Sequence, residues 1–369
     1  MARPHRSPVS EEQPAGMATE YPLIEAAGDP WTLGVQHGEQ AARFIRGYLD
    51  SLAESLRLTR QALRDRARRF EPLFDQHCPE LLVESRGLER GAGLLPVDGL
   101  VVQLRGELAH LPDGGCTTFA IGPAGTASGT TLVGQTSDNP PELEEFGYVL
   151  KLRPTGKPAV LMWTFGGMLG YHGLNEHGVS QFANALGGGP GWRFALSHYP
   201  LKRLMLEQTS LAGVRDLVRR LPVCSNGNYM LADGSGAILD LELTSEGVHE
   251  LPVEGPCLVH SNHFLCAAHA CQENWKHSPL DSAPRLVRMK SLLESRLGSL
   301  DVAQVGECLA DHDGYPVSLC RHPSDGPAGP MLDQRGKTVA ALIAEPQSRR
   351  LHVARGNPCV NRFVTYQLD

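Results

Sequence analysis

The stretch Gly114-Gly115-Cys116-Thr117-Thr118-Phe119-Ala120-Ile121 divides the chain into two parts of different character. Before it the sequence is charged and has helical periodicity. After it the sequence is rich in glycine and in short runs of β-forming residues. Segments of both kinds, arranged in blocks, are typical of layered α+β folds. The stretch therefore marks the point where we expect a helical N-terminal part to end and the sheets to begin.

The helical pattern runs from Trp31 to about Arg90, where apolar residues recur every three or four positions between polar ones. Gly28-Asp29-Pro30 predicts its start. A second helix start at Leu95-Pro96-Val97-Asp98 predicts a shorter helix that runs to about His110. Beyond the junction, helices are predicted at 199–207, 211–220, 285–296 and 302–309.

Short β-rich runs separated by Gly, Pro and Ser turns fill most of the region after Cys116. They lie at 117–121, 130–136, 148–152, 159–163, 179–184, 229–232, 237–243, 249–251, 338–343 and 351–354. Because these runs have hairpin length and helices occur between blocks of them, the sequence predicts an α+β fold with mainly antiparallel sheets.

Composition argues against several classes of function. The chain has 369 residues and a formal net charge of −7, which argues against a nucleic-acid partner. No apolar run approaches the ~20 residues that span a bilayer. Residues 1–20 are polar and lack the apolar core of a signal peptide, so we predict a disordered leader. The nine cysteines, without a C-x-x-C pair, then favour reduced thiols in a cytoplasmic protein.

Cys116 follows two glycines, and this arrangement suits a nucleophile that processes its own chain. Breaking the Gly115–Cys116 peptide bond would give Cys116 an α-amino group, whose usual pKa of about 7.7–8.0 suits a general base. The thiol can attack the Gly115 carbonyl, and glycine has no Cβ to block the attack. The same residues are also compatible with a small buried cysteine after a turn.

Further segments resemble, in the same order, those of a known enzyme family. They are Gly28-Asp29-Pro30, Gly34-Val35-Gln36-His37-Gly38, Leu104-Arg105-Gly106-Glu107-Leu108, Gly115-Cys116-Thr117-Thr118, Gly134-Gln135-Thr136-Ser137-Asp138-Asn139, Gly173-Leu174-Asn175-Glu176-His177-Gly178, His260-Ser261-Asn262-His263-Phe264 and Pro316-Val317-Ser318-Leu319-Cys320-Arg321-His322. With these blocks the chain resembles the acyl-CoA:6-aminopenicillanate (isopenicillin N) acyltransferase-like enzymes, peptidase family C45, of the N-terminal nucleophile (Ntn) hydrolases. It is also similar in layout to the bile-salt and penicillin V amidases. The resemblance implies a four-layer αββα sandwich of two mainly antiparallel sheets.

The resemblance also implies five catalytic positions. Cys116 would be the nucleophile and would lie at the autocleavage site. Asp138 would orient its thiol and amine. Asn184 and Asn262 would donate to the oxygen on which charge develops, and Arg321 would supply a fixed positive charge that lowers the pKa of a thiol.

Two departures from the family pattern lie beside Asp138. The family often has an aromatic residue directly before this aspartate, where the present chain has Ser137. The amidase relatives have an arginine three residues before it, where this chain has Gln135. Both positions belong to the substrate-facing side of the nucleophile in the resemblance, so the sequence leaves the substrate class open.

The resemblance divides the chain at Cys116. Residues 21–115 would form a helical propeptide or α chain, and residues 116–369 would form the catalytic β chain. The two chains are expected to stay associated, because the helices carry an apolar face that needs to be covered. The expected substrate is a small-molecule N-acyl amide or acyl donor, hydrolysed or transferred through a Cys116 thioester. No cofactor and no nucleic-acid or membrane partner is predicted.

Alternatives remain open from the residues alone. A papain-like thiol protease would pair Cys116 with His263, although the Cys-Gly-Ser-Cys-Trp surroundings of that class are absent. A non-catalytic binding protein would keep the fold and leave the chain uncut. The stretch 260–271 contains five potential metal ligands, but its spacing matches no zinc pattern, and no metal site is predicted.

Overall fold

Two β-sheets lie face to face at the centre of the structure, a computed structural model that describes residues 19–109, 115–271, 280–316, 318–323 and 336–369. The strands in chain order are β1 Leu23–Gly28, β2 Cys116–Ile121, β3 Leu132–Asn139, β4 Gly147–Pro154, β5 Val160–Phe165, β6 His172–Asn175, β7 Ser180–Ala185, β8 Gly227–Ala232, β9 Ile238–Thr244, β10 Gly247–Leu251, β11 Cys257–His260, β12 Lys337–Glu345, β13 Arg350–Arg355 and β14 Phe363–Gln367.

The described strands form one sheet of eight and one of six. The larger sheet has the order β1-β4-β5-β6-β7-β8-β9-β10, and the smaller has the order β11-β2-β3-β12-β13-β14. Neighbouring strands are antiparallel except β1 and β4, which run parallel. The sheets meet where β2 and β3 lie against β7 and β8.

Helices cover the outer faces of both sheets. In chain order they are α1 Pro30–Leu56, α2 Arg60–Ala67, α3 Glu71–His77, α4 Pro79–Ala92, α5 Asp98–Val101, α6 Arg105–Ala109, α7 His198–Leu206, α8 Leu211–Arg220, α9 Ser282–Glu294 and α10 Val302–Leu309. Helices α1, α7 and α8 pack on the eight-stranded sheet, and α9 and α10 pack on the six-stranded sheet. The predicted αββα sandwich with mainly antiparallel sheets is confirmed.

Helix α1 begins where the sequence predicts it. The Asp29 carboxylate accepts a hydrogen bond from the Thr32 N–H at 2.9 Å, and Pro30 occupies the first turn. Further along, α1 packs closely on α4 because both helices present glycines. A Cβ atom at Gly34 would lie 2.0 Å from the Glu84 carbonyl oxygen, and one at Gly91 would lie 2.1 Å from that of Val35. This close contact fixes the helical layer over the larger sheet.

The segment 21–115 is not helical throughout. Its strand β1 pairs in parallel with β4, with Leu23 opposite Val149 and Gly28 opposite Pro154. The pattern 23–28 is short and half exposed, so it gave no strand signal in the sequence. Of the predicted leader, residues 1–18 lie outside the described residues. Among the helices that the structure describes, none is long and apolar enough to cross a membrane.

Candidate active site

Cys116 is the first residue of β2, an interior strand of the six-stranded sheet, and lies at the junction of the two sheets. Its side chain is buried, with 7% of the residue exposed. The sulfur lies 3.7 Å from the carbonyl oxygen of Ala183 on the facing strand β7. The side-chain amide of Asn262 donates to it at 3.4 Å, and the backbone N–H of Ala185 is a further hydrogen-bond partner.

The peptide bond between Gly115 and Cys116 is held on both sides. The backbone N–H of Asp138 donates to the Gly115 carbonyl oxygen at 2.8 Å. The Cys116 N–H donates to Oδ1 of Asn262 at 3.1 Å. A Cβ atom at position 115 would lie 3.3 Å from both Asp138 Oδ2 and Nη1 of Arg321. A larger residue would therefore displace charged groups, which gives a packing reason for glycine here. The preceding Gly114 lies outside the described residues.

Asn262 is fixed by its own contacts. Its backbone N–H donates to Ser282 Oγ at 2.7 Å, and its side-chain amide also donates to the carbonyl oxygen of Ala185 at 3.0 Å. Its Oδ1 accepts from Arg285 Nη2 at 2.7 Å as well as from Cys116. These contacts leave the amide NH₂ directed at the sulfur and at the end of β7.

Arg285, which the sequence analysis assigned only to a helix, contacts the nucleophile directly. Its Nη1 donates to the Cys116 carbonyl oxygen at 2.7 Å and to Thr117 Oγ1 at 2.8 Å. Its Nε pairs with Asp281 at 3.0 Å. The sequence signal for this pair was the spacing of four residues between Asp281 and Arg285 at the start of a helix. The same spacing is common on solvated helix faces, so it does not indicate a catalytic role. Only the fold shows that both side chains are buried.

Asp138 and Arg321 belong to the same cluster. Asp138 Oδ1 accepts from Thr338 Oγ1 at 2.7 Å, and its Oδ2 lies 3.9 Å from Arg321 Nε. Arg321 also forms an ion pair with Asp281. We refer to Cys116, Asp138, Asn262, Asp281, Arg285 and Arg321 as the nucleophile network. Its two carboxylates and two guanidinium groups balance in charge, which is how buried charges are accommodated.

Burial dominates the proton affinities of this network. It raises the pKa of the Cys116 thiol to about 11, opposed by the Asn262 amide hydrogen bond and by the charge of Arg285. Burial also raises the pKa of Asp138, opposed by Arg321 and Arg285. In the uncut chain the thiol is therefore mostly protonated at neutral pH, and it needs a base to become a strong nucleophile.

Asn184 lies in β7 close to Cys116, but its side chain has other partners. Its Nδ2 donates to Thr118 Oγ1 at 2.8 Å and to Asn228 Oδ1 at 2.9 Å. These bonds join the two sheets beside the nucleophile. The donors to the sulfur among the described residues are instead the Asn262 amide and the backbone N–H of Ala185, the residue that follows Asn184.

A cavity of about 490 Å³ opens above the sulfur. Cys116, Asp138 and Asn262 lie in its wall, together with the glycine-rich loop 187–191 that the sequence predicted as a loop. Aromatic rings form another part of the wall, and the Lys202 ammonium lies 4.4 Å from the ring centre of Tyr171. Gln135 also lines the cavity, and its Oε1 accepts from the Ala183 N–H at 3.0 Å.

The histidines of the stretch 260–271 serve different purposes. His260 is buried and bonds Glu242 through Nε2 at 2.9 Å. The Nδ1 atom of His263 lies 2.7 Å from Ser282 Oγ, the atom that also accepts a hydrogen bond from the Asn262 backbone N–H. Cys266 and His269 lie close to His249, which belongs to β10. The five potential ligands of the stretch 260–271 therefore do not converge on one point.

The fold and site define an αββα protein with a buried cysteine at the start of an interior strand and a cavity above it. Residues 126–359 match the family described as acyl-coenzyme A:6-aminopenicillanic acid acyl-transferase. Since the match covers more than half of the chain, the protein belongs to this family of acyl-transferring enzymes, as the sequence blocks predicted. The matched range begins after Cys116, so the role of that residue is argued from its geometry.

Individual relatives extend the comparison. The chain is 24% identical over 345 residues to the 40 kDa form of acyl-coenzyme A:6-aminopenicillanic-acid-acyltransferase of Emericella nidulans, and the alignment covers 91% of this chain and 92% of that protein. Among solved structures, a mutant conjugated bile acid hydrolase of Clostridium perfringens is 12% identical, with a TM-score of 0.49 over 69% of this chain and 97% of that one. The N-acylethanolamine-hydrolyzing acid amidase ortholog of Caenorhabditis elegans is 15% identical, with a TM-score of 0.45 over 69% of this chain and all (100%) of that one.

Proposed function

We propose that the protein is a self-processing amide enzyme, which cuts its own chain between Gly115 and Cys116 and then uses Cys116 as an N-terminal nucleophile. It would hydrolyse or transfer the acyl group of a small N-acyl substrate through a thioester on Cys116. One observation carries this proposal. The carbonyl oxygen of Gly115 and the amide nitrogen of Cys116 are both hydrogen-bonded, beside a sulfur that faces a large cavity.

Self-cleavage begins with attack of the Cys116 sulfur on the Gly115 carbonyl carbon. The negative charge that develops on the carbonyl oxygen is stabilised by the Asp138 N–H, which already donates to it. The C–N bond then breaks, the thiol proton passes to the leaving nitrogen, and Gly115 is bound to the sulfur as a thioester. Water hydrolyses this thioester, leaving a carboxylate on Gly115 and a free thiol and amine on Cys116.

The new α-amino group acts as the base for later turnovers. It remains beside Oδ1 of Asn262, and the departure of Gly115 opens the space between it and the Asp138 carboxylate. Among the described residues of the uncut chain, Oδ2 of Asp138 has no hydrogen-bond partner, so it is available to the ammonium form. The Asn262 amide and the Ala185 N–H are placed to donate to the oxygen of an acyl group attached to the sulfur.

The cavity and the family membership support an acyl substrate of small-molecule size. Its volume of about 490 Å³ is within the range of small-molecule sites. Aromatic side chains in the wall suit an apolar acyl chain. Polar and charged groups around Cys116 suit the amide and its leaving group. Whether water or an amine receives the acyl group depends on how this cavity holds the acceptor.

Contacts across the cleavage site support continued association of the two chains. Strand β1 precedes the cut and pairs with β4, which follows it. The apolar residues of α1 also form one core with residues of the larger sheet. Cleavage at Gly115 would leave this pairing and this core unchanged.

Intact-mass spectrometry of the purified full-length protein tests the proposal. We expect fragments 1–115 and 116–369 from the natural chain and a single uncut mass from Cys116→Ala. Cys257→Ala is the matched control, because Cys257 is also 7% exposed and lies at the far end of the paired strands, opposite Ile121. Incubation with N-acyl amides should then add the acyl mass to the fragment that begins at Cys116.

Other outcomes would distinguish the alternatives. An uncut chain that still becomes acylated on Cys116 would favour an internal thiol nucleophile of the papain type, with His263 as the candidate base. An uncut chain that binds ligands without acylation would favour a non-catalytic binding protein. In either case the self-processing proposal would be abandoned.

A further inference from the structure

Four side chains beside the loop that carries Arg321 bring metal-ligating atoms together. One potential ligand atom from each of His312, Cys320, His322 and Cys359 lies within 4.8 Å of all the others. The two sulfurs are 3.5 Å apart, and the Nε2 atoms of the two histidines are 3.1 Å apart. Nε2 of His322 lies 3.6 Å from the Cys320 sulfur and 3.3 Å from the Cys359 sulfur.

These distances match the edges of a tetrahedral zinc site. With Zn–S bonds of about 2.3 Å and Zn–N bonds of about 2.0–2.1 Å, a regular tetrahedron has edges of roughly 3.8 Å between sulfurs, 3.4 Å between nitrogens and 3.5 Å between sulfur and nitrogen. Each distance given above agrees with these edges to within about 0.3 Å.

Hydrogen bonding alone does not account for the cluster. Nε2 of His322 has three potential partners at 3.1–3.6 Å, but a ring nitrogen offers one hydrogen or one lone pair. A cation at the centre would satisfy all four atoms at once. Two thiolates and two imidazoles are a donor set typical of closed, structural zinc sites, whereas calcium and magnesium prefer oxygen.

We propose that His312, Cys320, His322 and Cys359 bind a zinc ion. Cys320 is buried and the other three ligands reach the surface, so the metal has a path of entry. An outer contact supports the site, because Asn357 Nδ2 donates to the Cys320 sulfur at 3.3 Å and to the carbonyl oxygen of Arg321 at 2.6 Å. With four protein ligands the ion has no open position for a substrate, so its role is structural.

The zinc ion would hold the segment that supplies Arg321 to the nucleophile network. Two of its ligands, Cys320 and His322, directly flank that arginine in the sequence. A third, His312, follows Asp311, whose carboxylate binds Arg288 of α9 at 2.6 and 2.9 Å. The fourth comes from the turn before β14. The ion therefore links three segments that are otherwise held together by the backbone hydrogen bond from the Cys320 N–H to the Asp311 carbonyl oxygen at 3.0 Å and by the Asn357 contact.

The sequence analysis predicted no metal, and it considered only the stretch 260–271. The four ligands proposed here are spread over 312–359 and include no C-x-x-C pair, so no local pattern indicates them. The three residues His249, Cys266 and His269 also approach one another and form a competing group. They provide an internal control.

Metal analysis of the full-length protein, expressed with added zinc and freed of loosely bound ions by gel filtration, tests this site. We expect about one zinc per chain. Cys359→Ser and Cys320→Ser should each lower the zinc content at least tenfold. The double variant Cys266→Ser/His269→Ala should retain it. Cobalt exchanged for zinc should give the visible spectrum of a tetrahedral thiolate complex, and this spectrum should be lost in Cys359→Ser.

Three results would overturn the proposal. The first is a metal-free protein, including one whose mass under non-reducing conditions shows a Cys320–Cys359 disulfide by the loss of two hydrogens. The second is zinc that persists in Cys359→Ser and is lost in the Cys266→Ser/His269→Ala variant. The third is stoichiometric iron, nickel or copper in place of zinc. Circular dichroism of each variant distinguishes loss of the metal from loss of the fold, and Cys359→Ser, at an exposed position, is the variant least dependent on core packing.

Discussion

Arg203 and Arg285 are two buried arginines in very different surroundings. Arg203 in α7 is 1% exposed and forms a bidentate pair with Glu84 of α4 at 3.0 and 3.1 Å. Its Nε also pairs with Glu207, which binds Lys157 at 2.7 Å. Arg285 in α9 is 2% exposed and pairs with Asp281, but its remaining donors go to Cys116, Thr117 and Asn262.

The difference shows which features of a buried ion pair indicate chemistry. In the Arg203 cluster the contacts described above link α7 and the residue that follows it, Glu207, to Glu84 of α4 and to Lys157, and its carboxylates complete the charge balance. Around Arg285 the charges surround a nucleophile, a peptide carbonyl and a cavity that admits a small molecule. Burial and perturbed pKa values are common to both clusters, so they do not by themselves identify an active site.

Replacing each arginine by methionine should separate stability from processing. We expect Arg203→Met and Arg285→Met each to lower the free energy of unfolding by about 3–5 kcal/mol, because each removes a positively charged partner from a buried carboxylate, Glu84 or Asp281. At a temperature where both variants are folded, only Arg285→Met should fail to self-cleave. Urea unfolding and intact-mass measurements check the two effects. Normal cleavage in Arg285→Met would contradict its assignment to the nucleophile network.

Removing the Asn262 side chain should slow acyl transfer strongly. Asn262→Ala removes a donor to the oxygen of the acyl intermediate, and we expect a loss of about 10²–10³-fold in rate, equivalent to about 2.7–4 kcal/mol. Asn175→Ala is the matched control, because Asn175 is buried and donates to the carbonyl oxygens of Leu206 and Gln208. The control should lose stability but keep its rate in the folded state. Equal rate losses in the two variants would indicate a general structural effect.

Self-cleavage should also depend on pH, with a smaller effect per pH unit than the rate loss expected for Asn262→Ala. Burial raises the pKa of the Cys116 thiol to about 11 in the uncut chain, so its thiolate fraction rises as pH rises toward that value. We expect the first-order cleavage rate to rise by up to about tenfold per pH unit between roughly pH 7 and pH 9. The measurement uses freshly translated, uncut protein moved into buffers across this range. A rate that is flat in pH would mean that the neutral thiol reacts with concerted proton transfer.

The Arg203 guanidinium is a reference group for the pH experiment, because its charge does not change in this pH range. It stays charged throughout the range, because Glu84 and Glu207 outweigh the effect of burial and raise its pKa above the usual value. The unfolding midpoint of Cys116→Ala, measured in the same buffers, reports how far pH alters the fold itself. The cleavage rate should change with pH more steeply than this midpoint.

Much of the fold could be predicted from local patterns. Helices α8 and α10 have the bounds that their apolar periodicity indicates, and Asp29 caps α1 as its position before Pro30 suggests. Strand β1 could not be predicted, because its parallel pairing with β4 is a contact between segments more than a hundred residues apart. Short strands such as β11 are likewise defined by their neighbours and carry a weak pattern of their own.

The candidate site likewise contains residues that the sequence indicated and residues that only the structure identifies. Cys116 and Asp138 stand in recognisable sequence blocks, and the structure brings them together with Asn262 and Arg321. The sequence did not indicate Arg285, because burial distinguishes it from an arginine on a solvated helix. The direction of the Asn184 side chain, toward Thr118 and Asn228, also depends on the packing of the two sheets.

The sequence by itself therefore determined the class of fold, the family and the position of the proposed nucleophile at the junction after Gly115. These depend on periodicity, capping and ordered motifs, which are local properties of the chain. Only the tertiary structure decided which charges surround Cys116 and which cysteines and histidines meet at 312–359. Those arrangements depend on contacts between distant segments, and their energies come from burial and mutual distance, which no single segment encodes.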